Sequence, residues 1–152
     1  MFHLRSLILG TCAAALMAGS VAAKSDITVA MQLEPPHLDP TSAAAGAIDS
    51  VLYSNVFEGL TRFMGDGSVV PGLAESWEIS DDGLTYTFKL HSGVTFHDGT
   101  TMDADDVKFS LDRINADDSA NAQKALFSAI SEVKVLDPTT VEIKLSEPNG
   151  NL

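Results

Sequence analysis

The stretch Ser76-Trp77-Glu78-Ile79-Ser80-Asp81-Asp82-Gly83-Leu84-Thr85-Tyr86-Thr87-Phe88-Lys89-Leu90 decides how this chain is read. Trp77 and Ile79 lie two apart and share one strand face. Leu84, Tyr86, Phe88 and Leu90 alternate with Thr85, Thr87 and Lys89, the period of a half-buried strand. Between the two runs, Asp82-Gly83 reads as a two-residue turn, because both positions tolerate positive φ. Asp98-Gly99 marks the next turn. Asp103 then caps a helix whose apolar positions Val107, Leu111 and Ile114 follow the i, i+4, i+7 rule. Trp77 and Phe88 stand on opposite arms of the hairpin, so both are expected to be buried.

Working towards the C-terminus, Asn115 to Asn121 is polar and reads as a loop, and Gln123 to Ile130 as a weak helix. Ser131–Leu136 and Thr140–Leu145 form a hairpin about Asp137-Pro138-Thr139. Val133, Val135, Val141, Ile143 and Leu145 take its apolar face, and Glu132, Lys134, Glu142 and Lys144 the solvated one. Towards the N-terminus, Leu60 to Met64 is a short strand followed by a turn at Gly65-Asp66-Gly67. Ala43 to Gly59 reads as a helix, with Ile48, Val51, Leu52 and Val56 on one face and Tyr53 and Phe57 broadening it. Asp26 to Leu33 alternates as a first strand until Glu34-Pro35-Pro36 stops it, since proline donates nothing to a ladder.

Residues 1–23 read as a targeting segment. Arg5 precedes an apolar run from Leu7 to Ala18, and Val21-Ala22-Ala23 before Lys24 fits a small-residue cleavage site. The alternatives are a membrane anchor, for which the run is short and rich in Ala and Gly, and a lipid anchor through Cys12, where Thr11 is a poor neighbour. Cys12 is the only cysteine. Its removal excludes a disulfide framework, a cysteine nucleophile and a cysteine-ligated zinc site from the mature chain.

The 152 residues carry 9 basic against 21 acidic side chains, a net charge of −12. Such a chain has no electrostatic basis for binding nucleic acid or anionic lipid. His37-Leu38-Asp39 and His97-Asp98 combine imidazole and carboxylate, a donor set that suits zinc or nickel, but neither pair has helical i, i+4 spacing. Asp103, Asp105 and Asp106 are explained by a helix start, where carboxylates complement the free N–H groups. The chain shows no nucleophile elbow, phosphate-binding loop or dinucleotide fingerprint.

Four motifs in order carry a resemblance: Leu73-Ala74-Glu75-Ser76-Trp77, then Asp82 to Phe88, then Gly93-Val94-Thr95-Phe96-His97-Asp98-Gly99, then Ala104 to Arg113. Asn55 to Leu60, Val69 to Ala74 and Leu38-Asp39-Pro40 add to it. Together they resemble the peptide/nickel-type extracellular solute-binding proteins of ABC importers, over Ile27 to about Pro148. One departure is His91, where that family usually has Arg.

The resemblance implies an α/β fold: the N-terminal part of a two-lobe periplasmic binding protein, with a mixed sheet, flanking helices and hairpins, and the second lobe missing. Residues 24–152 would be an incomplete first lobe. It also implies that the end of the first strand and the following loop lie beside the ligand cleft, so Gln32, Leu33, Glu34, Pro35 and His37 become candidate ligand-binding residues. For each of them the alternative is a rigid surface loop. The implied protein is periplasmic, captures peptides or a related small solute (a nickel complex included) and docks on ABC permease subunits as a monomer when full length. It needs no cofactor, resident metal or nucleic acid and is not an enzyme. The rival readings are a secreted hydrolase and a truncated product with no independent binding.

Overall fold

The computed structural model describes Asp26 and residues 28–41, 46–53 and 55–150. Residues 1–23, read from the sequence as a targeting segment, lie outside the described residues, Cys12 among them. The chain divides into two compact units, residues 1–30 and 31–152. Of the first unit, Asp26 and residues 28–30 are described; they are exposed and form no helix or strand. The second holds every helix and strand of the described residues.

Its first regular element is α1 (Gly46–Leu52), which buries Ala47, Ile48 and Leu52. The helix expected to reach Gly59 stops there because the Leu52 carbonyl accepts from the N–H groups of both Val56 and Phe57, each at 3.0 Å, which closes the helix with a turn. Tyr53, Val56 and Phe57 are therefore exposed instead of extending the apolar face.

A small hairpin follows, β1 (Thr61–Phe63) against β2 (Val69–Pro71), antiparallel with Arg62 opposite Val70. The turn at Gly65-Asp66-Gly67 forms as expected: Gly67 takes a φ of 86°, and the Met64 N–H donates to the Ser68 carbonyl at 2.8 Å. Gly72 then lies against Gly59 and Leu60, and the Leu73 N–H donates to the Gly59 carbonyl at 2.9 Å. A Cβ on Gly72 would stand 2.5 Å from that same oxygen, so only glycine permits the approach.

The centre of the unit is a four-stranded antiparallel sheet in the order β3-β4-β6-β5: β3 (Ala74–Ile79), β4 (Thr85–Leu90), β5 (Ile130–Asp137) and β6 (Thr140–Leu145). Both hairpins read from the sequence are present, with Trp77 opposite Phe88 and Val133 opposite Ile143. β4 joins them by pairing with β6, Phe88 opposite Val141. The β3–β4 loop is longer than a two-residue turn. The Ser80 N–H still bonds the Thr85 carbonyl at 2.9 Å, and Asp82 organises the residues between them by accepting from the Ser80 hydroxyl and the Leu84 N–H. Among the described residues every sheet ladder is antiparallel; the mixed sheet expected above has no parallel ladder here.

One face of this sheet carries Phe88, Leu90, Val133, Val141, Ile143 and Leu145 into the core, where Ala74, Met102, Ala104, Val107 and Ala129 meet them. The covering element is α2 (Ala104–Asn115), packed on β5 and β6. Asp103 is its N-cap, as its position predicts: its carboxylate accepts the Asp105 N–H at 2.9 Å, and the Asp106 carboxylate accepts the Asp103 N–H at 2.9 Å. On the opposite sheet face Glu132 pairs with Lys134 at 3.2 Å and with Lys144 at 3.3 Å. Two expectations are corrected. Trp77 is only half-buried, because it shares the core face with Phe88 but β3 is an edge strand and α2 packs over β5 and β6 at the far end of that face. The helix expected over Gln123–Ile130 is a single 3-10 turn, Lys124–Phe127.

Candidate functional site

The candidate residues Gln32, Leu33, Glu34, Pro35 and His37 lie on a loop. The described part of the span read as a first strand, Asp26 and residues 28–33, forms no strand, since a ladder needs a neighbour to take its N–H and C=O groups and none of the described strands pairs with it. Gln32, Leu33, Glu34 and His37 are exposed and Pro35 is half-buried. Three prolines, Pro35, Pro36 and Pro40, fix φ along the loop without any ladder to hold it.

What shapes the loop is Asp39. Its Oδ1 accepts from the Thr41 N–H at 2.8 Å and from the Thr41 hydroxyl at 2.7 Å. Its own N–H donates to His37 Nδ1 at 3.3 Å. Its Oδ2 lies 3.6 Å from Arg113 Nη2, in the last turn of α2. The Thr41 hydroxyl, and after it the Thr41 N–H, hold the Asp39 carboxyl below its ordinary range, with Arg113 and His37 adding to the effect. Asp39, Thr41 and Arg113 share a polar hollow of about 410 Å³ with Asp118, Ser119 and Asn121. The segment after α2, read from the sequence as a plain polar loop, is thus brought beside the candidate loop. Arg113 is not among the candidate residues the resemblance points to. The signal for it lay in two quoted motifs, Leu38-Asp39-Pro40 and the run ending Leu111-Asp112-Arg113, whose meeting no spacing rule foretells.

A larger hollow, about 780 Å³, opens between the sheet face, α2 and residues 55–61. It is lined by core-type side chains, among them Phe57, Leu60, Phe96, Met102 and Phe127, and by none of the candidate residues. Asp106, at its wall, is engaged in the helix cap. The smaller, polar hollow is likewise lined by none of Gln32, Leu33, Glu34, Pro35 and His37, and borders their loop through Asp39 and Thr41.

Neither His–Asp pair forms a chelate. The Asp39 N–H occupies His37 Nδ1. Asp98 Oδ1 accepts from the Thr100 N–H at 2.9 Å and its hydroxyl at 2.7 Å, in a turn where Gly99 has a φ of 88°. Among the described residues no three His, Cys, Asp or Glu side chains converge on a metal position, and no helix is long and apolar enough to cross a membrane.

Residues 68–152 match the family model described as bacterial extracellular solute-binding proteins, family 5 Middle. The glutathione-binding protein GsiB of Escherichia coli K12 is 40% identical over 151 residues, which are 96% of this chain and 28% of that protein. Among solved structures, NikZ of Campylobacter jejuni in complex with Ni(L-His) superposes with a TM-score of 0.68 at 36% identity, over 76% of this chain and 23% of that one. The oligopeptide-binding protein AppA of Bacillus subtilis, in complex with a nonapeptide, gives 0.72 at 28% identity, over 78% and 23%. The chain therefore spans little more than a quarter of the length of the curated relative it matches. The hairpins, the capped helix and the motifs on them are features of one family, and this chain belongs to the bacterial extracellular solute-binding proteins of family 5.

Proposed function

We propose that this chain is part of the periplasmic solute-binding component of an ABC importer, capturing a peptide or a related small solute and presenting it to permease subunits. The observation that carries the reading is the exposed Gln32–His37 loop, tethered to the body by Asp39, in a chain of this family. The loop offers hydrogen-bonding and charged groups at Gln32, Glu34 and His37 and apolar surface at Leu33 and Pro35. A peptide or glutathione presents amines, carboxylates and amides to such a set. Capture is by enclosure: a partner surface closes over the loop and removes water, which strengthens each polar contact. The reading includes export through residues 1–23 and a monomer, with no chemical conversion of the solute.

The test is calorimetry of the whole binding component that contains this chain, against reduced glutathione, a nonapeptide and the nickel–histidine complex, with the recovered solute examined by mass spectrometry. The expected result is saturable one-to-one binding of one of these, returned unchanged, and a loss of about tenfold in Glu34→Ala or His37→Ala. Cleavage of the peptide that disappears with a single carboxylate would overturn the reading in favour of the hydrolase.

A further inference from the structure

Residues 31–41 form neither helix nor strand, and the loop holds the candidate solute contacts. Thr41 and His37 engage Asp39 from within the loop; Arg113 engages it from α2. Arg113 is itself well placed. It occupies the last turn of a helix whose other end is fixed by a capping box, and Lys124 closes the helix terminus by donating to the Ala116 carbonyl. The cation therefore sits on a rigid support, 74 residues along the chain from the loop it grips.

We infer that Asp39 is a positioning residue, paired with Arg113 so that the backbone leading to Glu34 and His37 is held against α2 in the arrangement that receives solute. The inference rests on the proposed solute-binding role of the loop. Two features make this positioning more than an ordinary surface ion pair. The Asp39 carboxylate is shared: one oxygen shapes the loop through Thr41 and the other reaches Arg113, so displacing either partner turns the group the other uses. The Asp39 N–H also bonds His37 Nδ1, which in the neutral imidazole puts the ring proton on Nε2 and ties the ring to the same turn. The pair is more than a third exposed on both sides and contributes little to folding. Its effect falls on geometry, and affinity and stability should therefore separate.

The experiment compares, in the whole binding component that contains this chain, wild type with Arg113→Ala, Arg113→Lys and Asp39→Asn, reading three quantities on each. These are the melting temperature, the amide exchange and His37 imidazole nitrogen shifts of the unliganded loop, and the affinity for glutathione, the nonapeptide and nickel–histidine. Asp39→Asn keeps an oxygen for Thr41 and loses the charge for Arg113. The expected result is an unchanged melting temperature, faster exchange over residues 32–39 with mixed His37 tautomers in Arg113→Ala and Asp39→Asn, at least a tenfold loss of affinity in both, and recovery in Arg113→Lys. Loop exchange identical to wild type in Arg113→Ala overturns the positioning role. A loosened loop with unchanged affinity overturns it too, and confines the pair to local structure. A wild type that binds none of the three probes, whose loop still loosens in Arg113→Ala, instead sinks the solute-binding reading, and Asp39 is then a structural clasp only.

Discussion

Asp39, Asp66, Asp98 and Asp137 share one local device: each accepts, through Oδ1, the N–H and the hydroxyl of a Ser or Thr two residues on. In each the intervening residue is Gly or Pro, which sets the turn. The hydrogen bonds favour the charged carboxylate, so all four carboxyls are held below their ordinary range, as is Asp82 through Ser80 and Leu84. A depressed folded-state pKa stabilises above the unfolded value and ceases to do so as pH falls through the folded value. Thermal stability should thus be level from neutrality to about pH 5 and decline below about pH 4. An Asp66→Asn, Asp98→Asn, Asp137→Asn triple variant keeps the acceptors and loses the titration, so its melting temperature should fall less between pH 5 and pH 3; equal falls would show that these turns do not set the acid limb. At the same scale, Phe88→Ala empties a buried core position and should cost about 3–5 kcal/mol in urea denaturation. Trp77→Ala, half-buried on an edge strand, should cost about 1–2 kcal/mol. Equal costs would contradict the asymmetric cover of the sheet.

At the level of elements, α2 and the Gly59–Gly72 crossing carry the arrangement. Asp103→Ala removes the acceptor for the first-turn N–H of Asp105 and should destabilise by about 1 kcal/mol, while Asp103→Ser should retain most of it. If both variants unfold at the same denaturant concentration as wild type, the cap is dispensable. Gly72→Ala places a Cβ 2.5 Å from a backbone oxygen that cannot turn aside. The expected cost is about 1–3 kcal/mol, with greater amide exchange at Leu73 and Ala74, whose N–H groups bond Gly59 and Leu60. Gly46→Ala, where nothing lies within 4 Å, is the matched control and should be near neutral or stabilising.

Over the molecule as a whole, the candidate contacts are displayed on an exposed loop beside a polar hollow, open to water. Binding sites for small solutes typically enclose roughly 70–90% of the ligand surface, and one exposed face falls well short of that. Residues 24–152 produced alone should therefore bind glutathione, the nonapeptide and nickel–histidine more weakly than about 1 μM, near −8 kcal/mol. Calorimetry on a monomeric sample decides this, and tighter binding would show that the loop and the hollow beside it already make a complete site.

Local residue patterns were enough to specify the elements of the central part. Period-two alternation in Leu84–Leu90 and Thr140–Leu145, Asp-Gly and Asp-Pro turns, and Asp103 before an apolar i, i+4 pattern each contain their own geometry within a few residues. The sequence also placed the chain in its family, because four motifs in order are a one-dimensional signal. What it misjudged were elements settled by distant neighbours. The alternation of Asp26–Leu33 names a strand only when another strand supplies the ladder. The apolar pattern of Ala43–Gly59 continues past Leu52, but three-dimensional packing buries only its first part. Trp77 looks like a core residue until the sheet order puts β3 at the edge. Tertiary structure alone decided the pairing of β4 with β6, which joins two hairpins into one sheet, and the meeting of Asp39 with Arg113. Both join residues more than fifty positions apart, and a contact at such separation is selected by the packing of the whole chain, which no local pattern of residues encodes.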